Sequence, residues 1–129
     1  LIELEVTIDG KFIHKQRADG LIVSTPTGTT AYALSAGGPI LHPGLDAIAL
    51  VPICPHTLSN RPLTVNSHVK IEIAVVQVDH AAISFDGQSQ LDLALGDCVR
   101  VERASESVTL LHPREYCYYE MLRNKLNWG

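Results

Sequence analysis

Leu1-Ile2-Glu3-Leu4-Glu5-Val6-Thr7-Ile8-Asp9-Gly10 opens the chain with an alternation that stops at a turn dipeptide. Ile2, Leu4, Val6 and Ile8 share one face and Glu3, Glu5 and Thr7 the other, the period-two signature of a half-buried strand. Asp-Gly accepts the positive φ of a type I′ turn, so a hairpin is predicted with residues 11–17 as the returning strand. After a break at Ala18-Asp19-Gly20, Leu21-Ile22-Val23-Ser24 reads as a short buried strand. Because the first residues already lie inside the alternation, a longer protein is expected to precede Leu1.

The same period governs the chain from residue 47 onward. Segments 47–53, 63–65, 69–78, 82–85, 91–95, 98–102 and 108–111 are seven further strand candidates, punctuated by Pro, Asn-Ser, Asp-His, Asp86-Gly87, Gly96-Asp97 and Ser105-Glu106-Ser107. Many short strands with regular turns predict a mainly β, β-sandwich-like domain. Two helices are expected beside it. The first covers residues 31–36, capped by Thr29 or Thr30 and ended by Gly37-Gly38-Pro39, which places a short helix near residues 30–37. The second is C-terminal, residues 116–127, with Tyr119, Leu122 and Leu126 on one face and Trp128 as a docking anchor.

Composition narrows the function classes. The 129 residues are 46% hydrophobic and 19% charged, which fits one folded domain and excludes a disordered chain. Ten Lys+Arg against 14 Asp+Glu give a net charge of −4, opposite to the balance of a nucleic-acid binder or a basic membrane-docking surface. No apolar run approaches the ~20 residues of a membrane span. Three cysteines without a Cys-x-x-Cys pair, and six scattered histidines, give no zinc spacing. A reducing cytoplasm is the expected location.

Chemistry concentrates between Arg17 and Pro39. An acid beside a glycine (Asp19-Gly20) leads through a strand into Thr25-Pro26-Thr27-Gly28-Thr29-Thr30 and then into the short helix. A loop entering a helix offers backbone N–H groups that favour anions. Gly28 admits close backbone approach. Thr27, Thr29 and Thr30 add hydroxyls, Asp19 an acceptor for ribose hydroxyls or a carboxamide, and Tyr32 a pocket wall. The alternative is a capped helix after a turn, with Asp19 serving its own loop. No Lys follows Gly28 as in a Walker loop, and neither Gly-x-Gly-x-x-Gly nor Gly-x-Ser-x-Gly is present. His56 reads as a loop or interface residue.

The run Asp19-Gly20-Leu21-Ile22-Val23-Ser24-Thr25-Pro26-Thr27-Gly28-Thr29-Thr30-Ala31-Tyr32, with Ser35-Ala36-Gly37-Gly38-Pro39, resembles the signature of bacterial NAD kinases. The similarity continues through residues 50–62 and at Ser84-Phe85-Asp86-Gly87-Gln88. The resemblance implies transfer of the ATP γ-phosphoryl to the adenosine 2′-hydroxyl of NAD, with Mg²⁺ accompanying ATP and NAD as the acceptor. In that family the Asp of a Gly-Gly-Asp-Gly motif in an N-terminal α/β catalytic domain is the general base or a metal-associated residue, and a later Asn-Glu pair also contacts the dinucleotide. Neither motif is present here, so the resemblance makes residues 1–129 a C-terminal dinucleotide-binding and oligomerisation domain with no catalytic residue of its own.

Carried over position by position, the resemblance implies NAD contacts at Asp19, Thr27, Thr30, Ala31, Tyr32 and Ser35. Asp19 and Ala31 would lie toward nicotinamide, and Thr27 and Thr30 toward adenine. Arg17 precedes Asp19 where the family often has Arg, and Asp86-Gly87 matches a further pocket position. The site in this family lies at a subunit contact, so a homodimer or homotetramer is expected, with residues 52–61 as the segment offered to a neighbour. The phosphoryl donor stays open between ATP and polyphosphate. Two other readings remain at this point: a non-catalytic β-sandwich self-association module, and a lipid kinase of the same superfamily.

Overall fold

A computed structural model describes all of residues 1–129. Strands β1 (Ile2–Ile8) and β2 (Lys11–Ala18) form the expected hairpin. Its turn places Asp9 at φ 49° and Gly10 at φ 77°, both in the left-handed region that a type I′ turn requires. β3 (Gly20–Ser24) follows, then a turn of 3₁₀ helix over Thr27–Thr30 and the single-turn helix α1 (Tyr32–Ser35). β4 (Ala47–Ile53), β5 (Leu63–Asn66), β6 (Ile71–Val78), β7 (Ala81–Phe85), β8 (Ser89–Leu93) and β9 (Cys98–Val101) precede the C-terminal helix α2 (Tyr118–Lys125).

The strands make a four-stranded antiparallel sheet ordered β2-β1-β6-β9, a three-stranded sheet β3-β4-β5 and a separate β7-β8 hairpin. The two larger sheets face each other. Leu4, Val6 and Ile8 of β1 and Ile71, Ile73 and Val75 of β6 meet Ile48 and Leu50 of β4 in one buried cluster. This is the predicted mainly β sandwich, stabilised by removal of apolar surface from water.

β4 explains its own sequence. Ile48 and Leu50 face the opposite sheet, while Ala49 and Val51 pack on the other side against Ala33 of α1 and Leu41. A strand covered on both faces reads as a continuous apolar run rather than an alternation. Pro52 is tolerated because β5 pairs only with Ala47–Leu50, which leaves β4 unpaired on that side at Pro52.

Three expectations are corrected. Residues 108–111 form no strand: Val108 and Leu111 stand almost fully exposed, because this chain supplies no neighbouring strand to hydrogen-bond them. α2 spans Tyr118–Lys125, shorter than residues 116–127. Trp128 is half exposed, and Leu122 rather than Trp128 is the residue buried at this end; the His42 ring lies 4.7 Å from Tyr118 and 5.6 Å from Tyr119.

Candidate functional site

The Thr-rich turn is built around one buried hydroxyl. Thr29 is completely buried, donates its hydroxyl to the Pro26 carbonyl at 2.6 Å and accepts the Leu41 amide at 3.0 Å. It therefore pins the turn to the segment after α1. Thr29 is not a cap, and neither is Thr30: Ala31 occupies the N-cap of α1 and no side chain bonds there. The helix ends as expected, with Gly37 at φ 88° and the Gly38 amide returning to the Ala33 carbonyl at 2.8 Å. A side chain on Gly38 would lie 2.7 Å from Val51 Cγ2, so the close approach of this turn to β4 requires glycine.

Gly28 and the main-chain donors also have structural employment. A Cβ on Gly28 would lie 2.6 Å from the Ser24 hydroxyl, so the glycine makes room for its own chain. The amides of Thr29, Ala31 and Leu34 bond the carbonyls of Pro26, Gly28 and Ala31. Three of the backbone N–H groups expected to favour an anion are therefore already bonded within the turn and α1. What faces outward is side-chain chemistry. Thr27, Ala31, Tyr32 and Ser35 are exposed and Thr30 is half-buried, whereas Thr29 and Ala33 point inward. The Thr27, Tyr32 and Ser35 hydroxyls make no hydrogen bond within the chain, and Thr30 Oγ1 accepts one from Lys125 Nζ at 3.2 Å.

Asp19 lies at the far end of β3. Its amide bonds the Ile53 carbonyl at 2.9 Å, while its exposed carboxylate has neither hydrogen-bond nor ion-pair partner. With ~3.3 Å of rise per residue, Asp19 and Thr25 are about 20 Å apart along the strand. The chain then folds back, so that Gly38 meets Val51, whose partner on β3 is Ile22. The exposed faces of the Thr turn and α1 thus run from the Ser24 end of β3 back toward Asp19.

Arg17 shares the exposed face of β2 but is occupied: its Nε donates to Glu3 Oε2 at 2.9 Å, and Lys15 Nζ lies 2.9 Å from Glu3 Oε1. The hydrogen bonds from Lys15, then Arg17, hold the Glu3 carboxyl below the usual carboxylate range. The segment after β4 begins beside this corner, with the His56 amide on the Arg17 carbonyl at 3.0 Å; Leu58 beyond it is almost bare. Asp86 and Gly87 form the tip of the β7-β8 hairpin at φ 54° and 67°, fully accounted for as turn residues. Nothing in the chain ties them to Asp19 or the Thr turn.

The assembled residues form an open surface rather than an enclosed pocket. A recess of about 370 Å³ lies behind the Thr turn, walled by Ser24, Thr25, Pro26, Leu45, Asp46 and Arg103 among others, and none of the expected contact residues lines it. No three His, Cys, Asp or Glu side chains converge to hold a metal ion. No helix is long and apolar enough to cross a membrane. No local pattern signals the Thr29–Leu41 and Lys125–Thr30 bonds, which join residues 12 and 95 positions apart.

Comparison with known proteins places these features in context. Residues 1–112 match the ATP-NAD kinase C-terminal domain family. Over all 129 residues the chain is 60% identical to an NAD kinase of Thiobacillus denitrificans and 56% identical to one of Azoarcus sp. strain BH72. It spans 44% of the length of each of these relatives. Among solved structures it resembles yeast NADH kinase complexed with NADH, with TM-score 0.75, 44% identity and coverage of 78% of this chain and 29% of that one. It also resembles an NAD kinase from Archaeoglobus fulgidus in complex with ATP, with TM-score 0.73, 35% identity and coverage of 81% and 40%.

Proposed function

The chain belongs to the ATP-NAD kinase C-terminal domain family, and we propose that it is the dinucleotide-binding and oligomerisation domain of an NAD kinase that transfers the ATP γ-phosphoryl to the adenosine 2′-hydroxyl of NAD. The observation that carries this reading is the series Asp19, Thr27, Thr30, Ala31, Tyr32 and Ser35, exposed except for the half-buried Thr30, which runs from the start of β3 through the Thr turn to α1 over a length that suits an extended ligand with two end groups. The relatives named above are NAD and NADH kinases, one in complex with NADH and one with ATP. That record supports NAD as acceptor and ATP as donor.

Phosphoryl transfer depends on positioning and charge neutralisation more than on covalent help from the protein. In this scheme Asp19 accepts hydrogen bonds from one end of the dinucleotide, and Thr27 and Thr30 hydrogen-bond the other. Ala31 lies toward the same end as Asp19, and Tyr32 and Ser35 floor the space between. Arg17 borders Asp19 while bound to Glu3, and Asp86-Gly87, at the tip of the β7-β8 hairpin, is a further expected contact. The acid that orients or deprotonates the 2′-hydroxyl belongs to an N-terminal α/β domain outside residues 1–129. Residues 1–129 bring no three His, Cys, Asp or Glu side chains together to hold Mg²⁺.

A homodimer or homotetramer closes the open surface, with residues 52–61 facing a neighbouring copy; the exposed Leu58 and the unpaired edge of β2 support that arrangement. Three free, exposed cysteines fit a reducing cytoplasm. The test is kinetic. In the full-length protein, Asp19→Ala should raise the KM for NAD at least several-fold with thermal stability intact. Failure of the unaltered full-length protein to make NADP from NAD and ATP would refute the assignment, and unchanged kinetics in Asp19→Ala would remove Asp19 from the site.

A further inference from the structure

The Thr turn carries no cation of its own, yet one reaches it from the opposite end of the sequence. α2 is eight residues long, so it spans about 10 Å from Tyr118 to Lys125 at ~1.5 Å per residue. Its first turn is held by Tyr118 and Tyr119 against His42, and its middle by the buried Leu122. His42 follows Leu41, the residue whose amide is fixed by Thr29. The last turn then delivers Lys125 Nζ to Thr30 Oγ1 at 3.2 Å. Both ends of α2 are thus referenced to two adjacent threonines.

The direction of that bond is informative. A threonine hydroxyl has one hydrogen to donate and two lone pairs to accept with, whereas an ammonium only donates. Thr30 Oγ1 is therefore the acceptor, and its own hydrogen has no partner in the chain. An accepted bond from a cation draws electron density from the oxygen and strengthens the O–H as a donor. We propose that Lys125 is a positioning residue of the dinucleotide site: it orients the Thr30 hydroxyl to donate to an acceptor atom of the bound dinucleotide. The inference rests on the reading of that site given above. It adds a specific dependence of ligand affinity on the C-terminal helix.

The experiment uses the full-length enzyme and four variants: Lys125→Met, Lys125→Arg, Thr30→Val and the Lys125→Met/Thr30→Val pair. Lys125→Met should raise the KM for NAD by roughly 5- to 10-fold, the effect of weakening one charge-assisted hydrogen bond, while kcat moves far less. Lys125→Arg should restore most of the loss, because it keeps a cationic donor. The double variant should be no worse than Thr30→Val, since Lys125 acts through that hydroxyl. An unchanged KM in Lys125→Met, additive losses in the double variant, or a KM that follows a fall in thermal midpoint without rescue by Arg would each overturn the proposal while leaving the NAD kinase reading in place. Absence of NAD phosphorylation by the unaltered enzyme would overturn both.

Discussion

Replacing Thr29 by Val separates the structural threonine of the turn from its exposed neighbours. The two side chains are nearly the same size, so the change removes a hydroxyl without opening a cavity. Two hydrogen bonds go with it: the one donated to the Pro26 carbonyl at 2.6 Å and the one accepted from the Leu41 amide at 3.0 Å. The Pro26 carbonyl keeps the Thr29 amide at 3.1 Å, so it is not orphaned. The Leu41 amide is, because Leu41 is buried and no other acceptor is in place. A lost neutral hydrogen bond costs ~1 kcal/mol and an unsatisfied buried amide about 1–3 kcal/mol, giving roughly 2–4 kcal/mol of destabilisation. For a domain of this size that is a fall in thermal midpoint on the order of 10 °C. Urea denaturation would measure the loss, and faster hydrogen exchange at Leu41 would locate it. Thr29→Ser keeps both bonds and should recover most of the stability. A Thr29→Val protein within about 0.5 kcal/mol of the parent, the range of ordinary surface changes, would refute the claim that this hydroxyl holds the turn.

Other outcomes follow from the same geometry. Gly38→Ala drives a methyl group into Val51 and the Ala33 carbonyl, at 2.7 and 2.9 Å, and should cost about 1–3 kcal/mol in a denaturation experiment. Thr27→Val touches no intrachain hydrogen bond and should leave stability within ~0.5 kcal/mol while weakening NAD binding in a calorimetric titration. The Glu3 carboxyl is lowered from 4.5 in the folded chain, so its contribution is complete above that value and disappears as the pH falls through the lowered one. The stability difference between the parent and Glu3→Gln should therefore be flat near neutrality and shrink in acid; a difference that persists unchanged into strong acid would exclude the Lys15–Glu3–Arg17 cluster as its source.

How much the sequence disclosed depended on how far apart the interacting residues lie. The β1-β2 hairpin was legible because alternation and Asp9-Gly10 are both local. The apolar run of β4 was legible as a strand, but its burial on two faces depends on α1 and on the opposite sheet, which no local pattern encodes. Residues 108–111 carry the same strand signal as β9 and fail to pair, because strand formation requires a neighbour as well as a propensity. In the site, the family motif marked the stretch from Asp19 to Ser35, while the solvent exposure of Thr27 and the burial of Thr29 appear only when Leu41 is brought against the turn. Lys125 could not be read at all, since 95 residues separate it from Thr30.

The five residues of β3 impose a rule on any molecule that engages both Asp19 and the Thr turn. Inserting one residue would turn the succeeding side chains to the opposite face of the sheet, whereas inserting two would restore their facing and add about 7 Å. The separation between the two ends is therefore adjustable only in coarse steps, and descent with altered ligand length would have to proceed by residue pairs. For synthetic inhibitors the corollary is practical. Two weak fragments joined by a tether matched to this fixed interval gain from high effective concentration, and a tether of mismatched length forfeits that gain.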